Sequence, residues 1–411
     1  MTEVTIERLG HQGDGIAAGP IFVPGTLPGE VVEGDIVEGR IAAPKIVKPS
    51  SERVAPPCRH AKSCGGCSLQ HASDPFVEAW KRQVVETALA AQGIAAPIRG
   101  IHTSPPQSRR RATLSARRTK KGALVGFHAR ASDTIIEIPG CQLLQPELIA
   151  AIPALEALTV AGGSRKGEIS FTVTQSSAGL DVVALGGKPT DVALRAELAQ
   201  IAGKHGLARL TWEDELIAQR AAPVQSFGNA PVTPPPGAFL QATPDGESTL
   251  CSAVLEAVSG QKHVVDLFAG CGTFTLPVAT KADVHAVEGE GDMLSALDKG
   301  WRHAIGLKTV TTETRDLFRR PLMSDEFRAY DAIIIDPPRA GAEAQSRELV
   351  ASYVPVVAMV SCNPVTFARD AKILIDGGFA LDWIDIVDQF RWSPHVELAV
   401  RFSRKVEVKR R

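Results

Sequence analysis

Long apolar runs are missing from this chain: none reaches the roughly 18 residues that a membrane-spanning helix needs. The first residues also lack the charged-then-apolar pattern of a secretory signal. Both absences point to a cytoplasmic protein with no membrane partner. Net charge is nearly absent as well. Lys+Arg number 45 against Asp+Glu 46, a formal net charge of -1. That excludes a wholly basic nucleic-acid binder and leaves local patches open. The seven cysteines are an odd set with three packed closely together, which in a cytoplasmic chain argues against a disulfide framework. At 411 residues, a prior of about 150 residues per domain gives two or three domains.

What is present is a set of three strand ends. The apolar run Val356 to Val360 leads into Ser361-Cys362-Asn363-Pro364, where Pro364 is expected to end the strand and fix the turn. Ala332 to Ile335 leads into Asp336-Pro337-Pro338-Arg339, and Val264 to Leu267 opens into Phe268-Ala269-Gly270-Cys271-Gly272. Helix and strand alternate from about residue 238. Glu247 to Val258 reads as helix, and 264–267, 284–287, 332–335 and 356–360 read as strands. This is the βαβ alternation of a doubly wound α/β sheet. Such sheets hold ligands outside the carboxyl ends of their strands. A glycine loop, a carboxylate and a thiol are therefore expected around one pocket.

The glycine loop is not a P-loop, since no Gly-Lys-Ser/Thr follows it. Glycines there let a ligand lie against the backbone. Glu288 ends the next strand, 22 residues after Asp266, where an acid can accept both ribose hydroxyls of an adenosine ligand. Dinucleotide and S-adenosylmethionine binders share that logic. Asp336-Pro337-Pro338 tips the choice towards a methyltransferase.

Earlier in the chain, residues 1 to about 50 alternate short β-type runs with glycine turns, the pattern of a small antiparallel barrel. Cys58, Cys64 and Cys67 at C-x5-C-x2-C can wrap one centre, with Cys141 the best fourth ligand. Four thiolates fit an iron–sulfur cluster or zinc. The short intervals favour the cluster, while His60 and His71 keep zinc open. Pro75 to Gln92 reads as a helix. Arg109-Arg110-Arg111, Arg117-Arg118 and Lys120-Lys121 form a run without an acid, read as a strand whose cations contact phosphate rather than a plain solvated face. Residues 122 to 222 suggest further sheet and helix, with Thr211 to Glu215 ambiguous. Pro231 to Gly237 marks a linker.

Together these stretches resemble the RNA uracil-5-methyltransferases, in particular the branch with a TRAM barrel and an iron–sulfur cluster. The resemblance covers nearly the whole chain. It is carried by the barrel, the cysteine set, Asp266 to Gly272, Asp336 to Arg339, Ser361 to Asp370, and the closing Phe390 with His395-Val396-Glu397. It implies a Rossmann-like class I methyltransferase domain at 231–411, a TRAM- or OB-like barrel at 1–52 that binds RNA, and a central α+β domain at 53–230 carrying a [4Fe-4S] cluster and the basic patch. It implies Cys362 as nucleophile and Glu397 as base. It places Gln241, Phe268, Gly270, Thr273, Glu288, Asp316 and Asp336 around S-adenosyl-L-methionine, and Cys58, Cys64, Cys67 and Cys141 on the cluster. Thr243 and Thr273 stand where the family often has asparagine, and Arg391 where it has proline. Barrel plus cluster resembles the 23S ribosomal RNA enzymes more than the transfer-RNA branch, with a monomer expected.

The chemistry agrees. Uracil C5 is a poor nucleophile, and a thiolate adding to C6 activates it. A base must then remove the C5 proton, and the nucleotide must be flipped or splayed out. Other readings compete. An amino methyltransferase would carry an aromatic where Arg339 stands and would need no nucleophile. A non-catalytic RNA-binding protein would not need Cys362, Glu397 and Asp336 together. Cys251 and Cys271 read as packing residues. His395 either orients Glu397 or caps a turn.

Overall fold

The structure is a computed structural model that describes residues 2–95 and 97–405. The first five strands form one antiparallel sheet in the order Ile21–Val23, Gly15–Ala17, Thr2–Leu9, Val31–Gly34, Lys45–Lys48. Ile6, Ala17, Val23, Val32 and Ile41 fill its interior. Gly15 is required there, because a Cβ would sit 2.1 Å from Thr26 Oγ1. Glu30 fastens this unit to the next segment. Its carboxylate accepts from the backbone N–H groups of Leu27 at 2.8 Å and Ser50 at 3.1 Å, and pairs with Arg53 Nε at 2.5 Å. Burial pushes the Glu30 carboxyl up, but Arg53 and the backbone donors outweigh it and hold it below its ordinary value.

The middle of the chain forms a seven-stranded sheet. Its order is Glu215–Gln219, Arg209–Trp212, Gly179–Leu185, Ile169–Ser176, Arg111–Arg118, Ala123–His128, Ile135–Glu137. Helices Ile152–Gly162 and Val192–Lys204 contribute to a core with Leu114, Phe171, Val182 and Trp212. The ambiguous Thr211 to Glu215 spans a hairpin, with Trp212 paired to Glu215 and the turn at residues 213–214, Glu213 at φ 55°. Pro231 to Gly237 is not wholly a linker, since Ala230–Val232 pairs with Gln225–Phe227.

The last part is an eight-stranded sheet in the order Val310–Thr314, Asp283–Glu288, His263–Leu267, Ala332–Ile335, Val356–Ser361, Glu397–Ser403, Ala380–Asp388, Ile98–Thr103. The first five strands are parallel, as the alternation predicts. Every residue of Ala332–Ile335 and Val356–Ser361 is buried, because both faces of the sheet are covered. Val264, Ala286 and Ile334 face one core, while Val265, Val287 and Ile333 face the other, the period-two alternation of a strand. Pro364 does not end the strand. It opens the helix Pro364–Asp376, where its missing N–H costs nothing, and Asn363 caps that helix through Oδ1 and Val365 N–H at 3.1 Å.

The helix Asp74–Ala90 departs from simple domain order. Ser73 caps it, accepting from Phe76 N–H at 3.3 Å. Its Val85 and Leu89 belong to the second core of the large sheet, and Ile98–Thr103 extends that sheet at its edge. The segment after the cysteine set thus clasps the C-terminal sheet before the chain enters the middle one. No helix of the described residues is long and apolar enough to cross a membrane.

Candidate active site

The three strand ends lie side by side, but the cleft at Cys362 is lined by the thiol and Arg339 and not by the glycine loop or Asp336, so one shared pocket is not seen. In the antiparallel ladder Ser361 is opposite Leu398. The next position of each strand sets Cys362 beside Glu397. Cys362 is half-buried on one wall of a cleft of about 1250 Å3. The cleft runs between the loops after Ile335 and Ser361, the helix Asp74–Ala90 (Phe76, Trp80, Gln83) and the barrel (Glu7 to Gln12). Arg339 and His395 also line it. Asn363 Nδ2 and Thr366 Oγ1 donate to the Arg339 carbonyl at 3.0 and 3.1 Å, which fixes the turn after Asp336 against the thiol loop.

The charges here are strongly coupled. Burial pushes the Cys362 thiol up to about 12, the negative Glu397 and Asp336 add to that, and Arg339 opposes it. Burial, with Asp336 adding, raises the Glu397 carboxyl well above the usual carboxylate range, opposed by a hydrogen bond from Gln389 and by Arg339. Burial likewise lifts Asp336 to about 7. Asp336 thus favours the neutral forms of both Glu397 and Cys362, and Glu397 that of Cys362, the arrangement of a proton-handling site.

The adjoining half suits an adenosine ligand. Asp266 is fully buried and accepts from Thr275 Oγ1 at 2.6 Å. Phe268, Gly270 and Gly272 have φ of 62°, 55° and 94°. This left-handed stretch is strained at the non-glycine Phe268 and turns the loop back over the strand. Glu288 accepts from Gly270 N–H at 3.0 Å and Gly289 N–H at 2.6 Å, so acid and loop are one unit. Thr273 holds its carbonyl to Cys251 Sγ at 3.4 Å, and Cys271 is buried packing. Asp316 accepts from the N–H groups of Phe318 and Arg319 at 3.0 and 3.2 Å. Phe318 is thereby set against Phe268, ring centres 5.4 Å apart. Gln241 Nε2 donates to Asp336 Oδ2 at 3.5 Å, joining this half to the thiol side.

Cys58, Cys64, Cys67 and Cys141 line one small pocket with His60 and Gln70. Burial raises the thiols of Cys64, Cys67 and Cys141, Cys67 to about 12. Cys251, Cys271 and Cys362 lie elsewhere. His71 is outside the pocket, and burial lowers its ring to about 4. Among the described residues, no group of three or more His, Cys, Asp or Glu side chains is placed to hold a metal ion.

The basic run is different from its sequence reading. Arg110 is buried, pairs with Glu247, and donates from Nε to the Gln241 carbonyl at 3.1 Å. Arg111 donates to the Gly237 carbonyl at 3.1 Å, and Arg117 pairs with Glu168 at 3.1 Å. The acids missing from the run are supplied by folding, and Arg110 ties the middle sheet to the cofactor side. Lys120 and Lys121 remain exposed. His395 neither bonds Glu397 nor caps through its ring. It stands edge-on to Phe390 at 5.7 Å beside the cleft.

Sequence reasoning missed Gln389 and the fully buried Lys81–Asp388 pair, Nζ to Oδ1 2.5 Å. Lys81 had a signal. It falls four residues after Val77 and four before Val85, on the buried face of its helix.

Residues 304–405 match the model of the tRNA (Uracil-5-)-methyltransferase family. An uncharacterized RNA methyltransferase of Rhizobium meliloti is 43% identical over 98% of this chain and 99% of its own. A 23S rRNA (uracil(1939)-C(5))-methyltransferase of Chromohalobacter salexigens is 32% identical, covering 98% of this chain and 89% of its own. Among solved structures, the Pyrococcus abyssi tRNA (uracil-54, C5)-methyltransferase in complex with S-adenosyl-L-homocysteine shares the fold. Its TM-score is 0.78 at 22% identity, over 97% of this chain and 99% of that one. With the thiol, carboxylates and glycine loop at adjoining strand ends, the chain belongs to the RNA uracil-5-methyltransferase family.

Proposed function

We propose that this enzyme methylates C5 of a uridine in 23S ribosomal RNA through a covalent adduct between Cys362 and C6. The observation that carries the reading is that Cys362 and Glu397 each stand one position past the last ladder pair, Ser361 with Leu398, with Cys362 on the wall of a cleft that reaches the barrel. S-adenosylmethionine supplies the electrophilic methyl, with Gln241, Phe268, Gly270, Thr273, Glu288, Asp316 and Asp336 around it. Cys362 adds to C6 and makes C5 nucleophilic. Once C5 has taken the methyl, Glu397 removes the C5 proton and the thiolate leaves. The cleft is roomy enough for an extruded nucleotide and its flanking strand, and the barrel forms its far wall.

The substitutions separate the two steps. Cys362→Ala is expected to bind RNA and form no covalent species. Glu397→Gln is expected to form an adduct that survives denaturation and to stall. Wild type on RNA with 5-fluorouracil at the target position stalls in the same way, because fluorine cannot leave as a cation. Adduct from Cys362→Ala, or none from wild type on the fluorinated RNA, sinks the assignment of Cys362. Ribosomal RNA is chosen over transfer RNA on the likeness to the Chromohalobacter enzyme and on the cysteine set. Mapping 5-methyluridine in both RNAs from a deletion strain decides it.

A [4Fe-4S] cluster would be held by Cys58, Cys64, Cys67 and Cys141, four thiols that lie together in one pocket but are not placed as a ligand set in this structure. The methyl transfer needs no electron, so the cluster would organise the loop between barrel and middle sheet. Protein purified without oxygen is expected to be brown, with iron and sulfide bound. Colourless protein carrying stoichiometric zinc replaces cluster by zinc.

A further inference from the structure

We infer that Gln389 is a positioning residue that ties the base Glu397 to the cofactor side of the site through an amide bridge to Gln241. The inference rests on the reading of Glu397 as base. Gln389 is buried directly after the strand Ala380–Asp388. Its Oε1 accepts from Ala242 N–H at 2.7 Å, and its Nε2 donates to Gln241 Oε1 at 2.6 Å. Gln241 Nε2 then donates to Asp336. The orientation of both amides is forced. A backbone N–H only donates, so the oxygen of Gln389 must face Ala242. Both hydrogens of Nε2 are then available: one goes to Gln241, and the second is left for Glu397, which sits opposite Val387 in the neighbouring strand, two residues before Gln389. Gln389, Gln241 and Asp336 are thus linked by hydrogen bonds, and the proposed bond from Gln389 extends the link from the acid expected between cofactor and uracil to the base Glu397.

The bridge is rigidly housed. Asp388 is pinned by Lys81, and its carbonyl accepts from Ser104 N–H at 3.0 Å. On the other side Gly246 presses in so closely that a Cβ would lie 2.6 Å from Gln389 Cβ. The charged and titratable groups acting on Glu397 are Asp336 and Arg339 from one strand end and Cys362 from the next. Asp336 favours the neutral acid and Arg339 the anion. Gln389 is the neutral donor among them, and it holds the carboxylate oriented and ionisable. Removing a donor from a carboxylate raises its proton affinity. The base then stays protonated to higher pH.

The test is the pH dependence of kcat for the full-length protein as purified, on a uridine-containing target RNA, with adduct followed on denaturing gels. Gln389→Leu is expected to move the acid limb upward by about one unit. Below the limb, kcat falls about tenfold and methylated adduct accumulates; above it, most of the rate returns. Gln389→Glu carries the same expectation and serves if the leucine variant fails to fold. It keeps the shape and the acceptor for Ala242 but offers no donor when ionised. An unshifted acid limb in a folded variant that still forms adduct overturns the role of Gln389, whatever its kcat. Wild type that forms neither adduct nor 5-methyluridine overturns the underlying reading of Glu397, and this inference with it.

Discussion

A thiol lifted to about 12 is a weak nucleophile until its proton has somewhere to go. Burial does most of the lifting, the neighbouring acids add to it, and Arg339 is the cation that opposes them. Below the thiol's own value, the thiolate fraction falls tenfold for each unit of upward shift. Arg339→Met is therefore expected to slow adduct formation on 5-fluorouracil RNA by about tenfold near neutral pH. Raising the pH should restore the rate, and affinity for S-adenosylmethionine should hold. A rate of adduct formation equal to wild type at every pH would remove Arg339 from this role. Cys362, Asp336 and Glu288 were legible because each directly follows or ends an apolar strand. Gln389 was not, since its hydrogen-bond partners Ala242 and Gln241 come from another segment, Gln241 148 residues away.

Among the elements, the helix Asp74–Ala90 depends on a pair that no local pattern demands. Burial pushes the Lys81 ammonium down and the Asp388 carboxyl up, and each partner counters the shift of the other. The pair joins the helix to the turn that carries Gln389, and Lys81 Nζ also reaches the Phe390 carbonyl at 3.4 Å. Lys81→Met takes from the buried Asp388 its paired counter-ion and leaves only the weaker influence of Arg391, an expected loss of about 3 kcal/mol. The double variant Lys81→Met, Asp388→Leu is expected to regain much of it, because no charge is left unpaired. Urea unfolding of the three proteins measures both. A single variant as stable as wild type would mean that water reaches Asp388. The parallel strands could be read from sequence because burial on both faces makes them continuous apolar runs. Ile98–Thr103 could not. It is an edge strand with no fully buried residue and no period-two alternation, and its place in the sheet is set by pairing with Ala380–Asp388 across the chain.

At the scale of the whole molecule, the cleft explains why the basic run misled. A run of arginines without local acids reads as a phosphate-binding face, but whether it meets solvent is decided by which segments fold against it. Arg110 faces Glu247 across the junction of the middle sheet and the methyltransferase domain. At the cleft stand Arg8 on the barrel and Arg339 beside Cys362, and Lys120 and Lys121 are exposed on the middle sheet. Two classes of substitution should separate. Arg110→Ala leaves Glu247 buried and unpaired, so it is expected to cost about 3 kcal/mol of stability. It should leave the salt dependence of RNA binding unchanged. Arg8→Ala should leave stability within about 0.5 kcal/mol of wild type, because its side chain is exposed. It should weaken RNA binding and reduce the slope of log K against log salt by about 1. Filter binding across a salt series, beside thermal melts of the same proteins, reads both quantities. A reduced slope for Arg110→Ala with normal stability would return the arginine run to the RNA. An unchanged slope for Arg8→Ala would take the barrel wall of the cleft out of the RNA path.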